Sequence, residues 1–210
     1  MRFVLASEHR EFFSKNRFIE FEDLIADVAT INSEFDVVLM ERLKKLPQSR
    51  TPQELFKVGR DVWRKYSKLT CKRGLAEIAA SLFHQKTVRL AYDQILKTTE
   101  QTGSPLMHNL SLQQASCFQP ILGGVIVRIS HDPSPPPMTP IKVGSGLFLH
   151  PDLPLPWTSF FQNPNQTLLL IVYAPEKTLY ILNKDDPHTH ELKREGYAFG
   201  DRIQNPIIFK

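Results

Sequence analysis

The spacing of apolar residues changes step at His84, and that change sets what this chain can fold into. Before it, apolar side chains recur every three or four residues, which places them on one face of a helix; after it they alternate, as in a strand. Phe21, Leu24, Ile25, Val28, Ile31, Phe35, Val38, Leu39, Leu43 and Leu46 predict one long amphipathic helix from Glu20 to Leu46, stopped by Pro47. Thr51, Pro52 and Glu54 then supply an N-cap hydroxyl, a first-turn proline and a capping-box carboxylate, predicting a helix from Pro52 to about Lys68. Leu75, Ile78, Ala79, Leu82 and Phe83 form the stripe of a third helix over Lys72 to Phe83.

After His84, Val88, Leu90, Tyr92, Gln94 and Leu96 alternate with Arg89, Ala91, Asp93 and Ile95, a strand rhythm. Further strands are predicted at Ile121 to Ser130, Gly146 to His150, Thr167 to Ala174 and Thr178 to Leu182. Pro175, Glu176 and Lys177 would join the last two as a hairpin, and Gly123-Gly124 would mark a bulge. The proline-dense segment from Asp132 to Pro140 lacks ladder N–H groups and reads as a surface loop. Helices first and strands afterwards indicate a single α+β domain over 1–210, mainly helical in 1–84 and mainly β in 85–210, with helices laid on one side of a sheet or barrel.

The longest apolar run, Leu168 to Ala174, is far short of a bilayer span, and the first residues carry Arg2, Glu8, Arg10 and Glu11. Cys71 and Cys117 are too few for a disulfide framework and lack the spacing of a zinc or redox site. These features predict a soluble, cytoplasmic chain with reduced thiols, no signal peptide and no membrane partner.

Several segments resemble one family. Phe12-Phe13-Ser14-Lys15-Asn16-Arg17-Phe18 resembles the "FF-x-x-N-G-F" opening of phytanoyl-CoA dioxygenase-type proteins, with Arg17 in place of the usual glycine. Asp61-Val62-Trp63 through Leu82, followed by Arg89-Leu90-Ala91-Tyr92-Asp93-Gln94, is similar to that family's helix pair and its "R-L-x-x-D-Q" strand. Gly144-Ser145-Gly146-Leu147-Phe148 resembles the strand before its distal metal histidine, and Gly196 to Asp201 the closing segment of some members. The resemblance implies the double-stranded β-helix, a jelly-roll or cupin-like barrel, of the Fe(II)/2-oxoglutarate oxygenases, flanked by helices.

In that family two histidines and a carboxylate hold iron on one face, leaving open positions for 2-oxoglutarate and oxygen. The resemblance places the H-x-D pair within Lys97 to Phe118, where His108 is followed by Asn109 and Leu110, and an apolar side chain stands in for the carboxylate. Near the expected cosubstrate cation stands Gln166, and His150 is the one basic residue between Lys142 and Lys177. The expectation is therefore a fold that has lost its iron and cosubstrate ligands: no catalytic, cofactor-binding or metal-binding residue, and a non-catalytic binding or regulatory role toward a small molecule or a protein. The alternative is an active dioxygenase with a relocated triad, using Fe(II) and 2-oxoglutarate, in which His150 and Asp152 form a literal H-x-D and His188 or His190 completes it. Against this, His150 reads as a strand end, Asp152 as the start of a turn, and His188 and His190 as part of a polar loop.

Other groups read as structural. Adjacent His131 and Asp132 would point to opposite faces of a strand, and Cys117 has no evident activating charge, so a buried thiol is expected. Trp63 and Trp157 read as core or pocket-rim residues. A further alternative rests on charge. With net charge +4 and pI about 9.1, the chain carries Lys57, Arg60, Arg64 and Lys68 along one face of the second helix. Such a row would suit a DNA-binding, divalent-cation-responsive regulator; it is equally the solvated back of a helix anchored by Leu55, Val58, Val62 and Tyr66.

Overall fold

The computed structural model describes residues 5–46, 51–97, 106, 109–131, 136–163, 166–203 and 207–209. The first part holds helix α1 (Ser7–Asn16), strand β1 (Phe18–Phe21), and helices α2 (Val28–Leu43), α3 (Pro52–Val58), α4 (Ser67–Thr70) and α5 (Arg73–Leu82). The second holds β2 (Val88–Leu96), β3 (Phe118–Gln119), β4 (Gly123–Arg128), β5 (Gly146–Leu149), β6 (Leu168–Ala174), β7 (Leu179–Tyr180) and β8 (Ile208–Phe209). Six strands form one antiparallel sheet in the order β1-β5-β4-β6-β2-β8, and β3 pairs with β7 in a second, two-stranded sheet.

The large sheet divides the interior into two apolar cores, and strand parity decides which core each side chain enters. Val125 and Val127 of β4, Phe148 of β5, and Leu169, Ile171 and Tyr173 of β6 face the helices, where they meet Phe35 of α2 and Leu75, Ile78 and Leu82 of α5. Ile126, Leu147, Leu149, Leu168, Leu170 and Val172 point the other way, toward Cys117, Phe118, Trp157, Phe160 and Tyr180. Burial on both faces explains why these strands read as continuous apolar runs. Each fully buried Leu, Ile or Phe contributes roughly 1.5–3 kcal/mol.

The strict alternation expected for β2 is broken by a bulge between Leu90 and Tyr92. The extra residue reverses parity, so Leu90 belongs to the helix-side core while Tyr92 belongs to the other. Gly123-Gly124 does not form the expected bulge, because both residues keep unbroken register with Tyr173 and Val172. A Cβ at Gly123 would instead lie 2.4 Å from the Leu149 carbonyl oxygen, so close backbone approach is what requires glycine there.

The expected α+β class, with helices on one face of an antiparallel sheet, is what the structure shows. Three local expectations are corrected. Phe21 lies in β1 and Leu24 and Ile25 in the following loop, so the helix expected from Glu20 is α2, over Val28–Leu43; Pro47 lies outside the described residues. The helix expected over Pro52 to Lys68 breaks into α3, a 3-10 turn (Val62–Arg64) and α4. The segments around Pro175 are not a hairpin, because β6 sits between β4 and β2 while β7 pairs with β3. Among the described residues, no helix is long and apolar enough to cross a membrane.

Candidate functional site

The break after α3 creates the most unusual polar arrangement in the described chain. Thr51 Oγ1 accepts from the Glu54 amide at 3.2 Å while the Glu54 carboxylate accepts from the Thr51 amide at 2.8 Å, so α3 starts where expected. It ends at Gly59, whose carbonyl accepts from the Ile95 amide at 2.8 Å. A Cβ on Gly59 would lie 2.5 Å from the Ile95 carbonyl oxygen, so glycine permits this docking. Arg60 then bridges to Gln94, and Asp61 takes a left-handed φ of 51° as its amide donates to the Asp93 carbonyl. The chain has joined the edge of β2 and cannot continue as a helix.

That docking turns Arg60 inward. Its side chain is 7% exposed, and its guanidinium carbon stands 3.3 Å over the centroid of the Tyr92 ring. One guanidinium nitrogen, Nη2, lies 3.7 Å from Asp186 Oδ2. Asp186 itself accepts from the backbone amides of Cys117 and His188, each at 2.8 Å, which fixes the carboxylate. Arg60 Nη2 and His188 Nε2 are both buried and without a hydrogen-bond partner. A buried unsatisfied polar group costs about 1–3 kcal/mol, so two beside each other are a notable expense. Burial, reinforced by Arg60 and Lys57, holds the His188 imidazole well below its usual pKa and therefore neutral at pH 7.

Arg60 and His188 form part of the wall of a cleft of about 510 Å3 between α3 and the 3-10 turn Glu191–Glu195. Its rim is tied by ion pairs: Lys57 to Glu191 at 3.0 Å, Arg64 to Glu195 at 3.0 Å, and Arg194 to Glu191 at 3.1 Å. The expected basic row is thereby corrected. Lys57, Arg60 and Arg64 lie on broken elements and face acids of the 186–195 segment, and only Lys68, on α4, is exposed with no ion pair among the described residues. Sequence reasoning missed this because Asp186, Glu191 and Glu195 are remote from α3 along the chain; Gly59 was the one local sign that the helix stops.

His150 and Asp152 do come together, but at the surface and with Arg17 beside them. Arg17 Nη1 lies 2.9 Å from His150 Nδ1 and 3.8 Å from Asp152 Oδ2, and His150 Nδ1 lies 3.6 Å from Asp152 Oδ2. Partial burial and the Arg17 charge lower the His150 pKa, keeping this ring neutral too. Arg17 caps α1 with φ 68°, the left-handed conformation that glycine favours, which accounts for a glycine at this position in the resembled family. His188 packs against Phe56, while His190 is exposed beside Phe199. Neither joins His150, and no group of three His, Cys, Asp or Glu suited to a metal occurs among the described residues.

The remaining expectations resolve individually. His108 and Asp132 lie outside the described residues. Leu110 packs against the second core, and its carbonyl accepts from Trp157 Nε1 at 2.7 Å. Gln166 is buried, its amide donating to the Phe160 carbonyl at 3.4 Å. Cys117 is a buried thiol whose pKa is pushed up by burial and then by Asp186, which disfavours the thiolate. Trp157 is core, whereas Trp63 is half-buried and donates to Asp61 Oδ1 at 3.3 Å.

No family model matches the chain, and no curated protein matches it. Solved structures do. CT296 from Chlamydia trachomatis is similar at 21% identity, over 83% of this chain and 97% of its own, with a TM-score of 0.52. The epimerase SnoN from nogalamycin biosynthesis, a non-heme α-ketoglutarate-dependent enzyme solved with Fe3+, α-ketoglutarate and nogalamycin RO, is similar at 12% identity over 96% of each chain, with a TM-score of 0.66. HygX from Streptomyces hygroscopicus, solved with nickel and 2-oxoglutarate, is similar at 14% identity over 95% of this chain and 98% of its own, with a TM-score of 0.57. At these identities the likeness is one of architecture: the chain has the fold of the non-heme 2-oxoglutarate-dependent enzymes, shared with CT296.

Proposed function

We propose that this chain is a binding or regulatory module built on the double-stranded β-helix of the oxygenases, in the manner of a phytanoyl-CoA dioxygenase-like member that works without iron and cosubstrate. One observation carries the reading. At both places where the described chain sets a histidine and an aspartate two residues apart, a guanidinium stands beside the aspartate. Arg17 lies against His150 and 3.8 Å from Asp152, and Arg60 lies 3.7 Å from Asp186, two residues before His188. An arginine carries its charge at every accessible pH, so it repels a divalent cation from the ligands that would hold it.

Among the described residues, the histidines and carboxylates brought together do not fit the metal that the fold implies. A facial triad needs two imidazoles and a carboxylate with free lone pairs. Asp186 already accepts two backbone amides, and His150 Nδ1 is engaged by Arg17 and by the Asp152 amide at 3.3 Å. The space between β2, β4, β5 and β6 and the β3-β7 pair, where such barrels hold their chemistry, is filled by Leu147, Leu149, Trp157, Phe160 and Leu170. The test is anaerobic isothermal titration with Mn(II) or Ni(II) in the presence of 2-oxoglutarate. No saturable heat is expected; stoichiometric, tight metal binding would refute the proposal.

A further inference from the structure

We infer that the cleft between α3 and Glu191–Glu195 is a binding site for a small oxyanion, a carboxylate or phosphate group carried by a metabolite, with Arg60 and His188 as its floor. The inference rests on the reading of the chain as a binding module and names the class of ligand that module takes.

Arg60 and His188 are 7% and 6% exposed, both line the cleft, and each carries a buried nitrogen with no hydrogen-bond partner. They come from remote parts of the chain and are held in place independently: Arg60 by the Gly59 docking and the Tyr92 ring, His188 by Asp186 and Phe56. Two pre-positioned polar groups lining one recess are what a specific ligand requires, because neither must be ordered on binding. Both can donate. A guanidinium has no acceptor atom, and a neutral imidazole can carry its proton on Nε2, so an acceptor-only group answers both at once.

Charge supports the same class. The cleft is lined by five basic side chains against four acidic ones. Lys57, Arg64 and Arg194 are already paired across the rim, and Arg42 is spent on the carbonyls of Val58, Arg60 and Asp61. The rim cations thus close the cleft sides, and Arg60, whose contact with Asp186 is the longest of these ion pairs at 3.7 Å, is the cation through which an anion would be met. A volume of about 510 Å3 suits a metabolite, not a polymer.

The test is titration of the full chain, in EDTA, with inorganic phosphate, succinate and 2-oxoglutarate, read by calorimetry. It is paired with long-range 1H–15N spectra of 15N-histidine-labelled protein. Saturable binding of at least one of these anions is expected, moving the His188 Nε2 resonance while that of exposed His131 stays put. Phosphate alone or dicarboxylate alone identifies which oxyanion the cleft prefers and supports the site either way. H188F, which keeps an aromatic ring against Phe56, should weaken binding at least tenfold with an unchanged circular dichroism spectrum. R60K should do the same if it folds, and the wild-type spectra decide the matter if it does not. Absence of saturable binding by all three anions, or binding that leaves the His188 resonance unmoved, overturns the site. Binding of 2-oxoglutarate only when Mn(II) replaces EDTA overturns the site and the proposed function together. Metal-free binding that survives H188F overturns the site alone.

Discussion

Asp93 should contribute more stability in mild acid than at pH 8, and its replacement by asparagine should remove that contribution. Asp93 is fully buried on β2; its Oδ2 accepts from Thr70 Oγ1 at 2.5 Å and from the Trp63 amide at 3.0 Å, while Oδ1 has no partner. Burial, only partly offset by the Thr70 hydrogen bond, raises its pKa to about 7. In the unfolded chain an aspartate titrates near 3.9, a difference of about 3 units, or on the order of 4 kcal/mol. The folded pKa is the higher one, so between pH 4 and 7 the folded state holds a proton that the unfolded state has released. Stability from this group is therefore greatest below about pH 4, falls as pH rises toward 7, and is flat above it. D93N cannot lose a charge it does not have. Its amide meets the same partnerless position as Oδ1, a fixed cost of about 1–3 kcal/mol that does not vary with pH. The stability of D93N minus that of wild type should rise by about 4 kcal/mol between pH 4 and 8, whatever the fixed cost. Urea unfolding of both proteins at four pH values across this range measures it. Parallel pH curves for the two proteins would refute the buried-carboxyl argument.

Three further outcomes follow from the same structure. G144A puts a Cβ 2.4 Å from the Ile25 carbonyl oxygen at a φ of +82°, and should lose about 2–4 kcal/mol in urea unfolding. G196A has a φ of +93° but no neighbour within 4 Å, and should lose only about 1–2 kcal/mol; equal losses would show that the Ile25 approach does not matter. D186N leaves the Arg60 guanidinium buried without its counter-charge and should cost about 3–5 kcal/mol, a value under 1 kcal/mol being incompatible with the described pairing. Because Lys57 and Arg64 are paired with Glu191 and Glu195, a short DNA duplex should not be retarded at low salt; retardation abolished by charge reversal at Lys57 and Arg64 would restore the basic-face reading.

Local chemistry was legible in the sequence and long-range geometry was not. The capping box of Thr51 and Glu54 involves neighbours three residues apart, and α5 and the bounds of β2 follow from apolar spacing alone. Phe21, Leu24 and Ile25 carried helical spacing, but β1 gains more from pairing Phe18–Phe21 with Gly146–Leu149 at the sheet edge than a helix would gain from extending. The bulge in β2 left no mark because both faces of the strand are buried, so a parity reversal moves Tyr92 from one apolar core to the other without calling for a different residue type. The cleft was illegible for a different reason. Lys57, Arg60 and Arg64 look like a solvated face until the 186–195 segment is placed against them, and nothing in a single sequence brings those two stretches together. The surface pair of His150 and Asp152 was legible as a spacing, but its meaning depended on Arg17, which only the pairing of β1 with β5 brings alongside.

An arginine stands beside each His and Asp pair that could otherwise take a divalent ion. Crystals soaked anaerobically with Mn(II) and 2-oxoglutarate, with diffraction recorded at the manganese edge, should show no anomalous peak beside His150 and Asp152 or beside Asp186 and His188, with Arg17 and Arg60 unmoved. A peak at either place, bonded to imidazole and carboxylate at about 2.0–2.2 Å with the arginine swung aside, would contradict it.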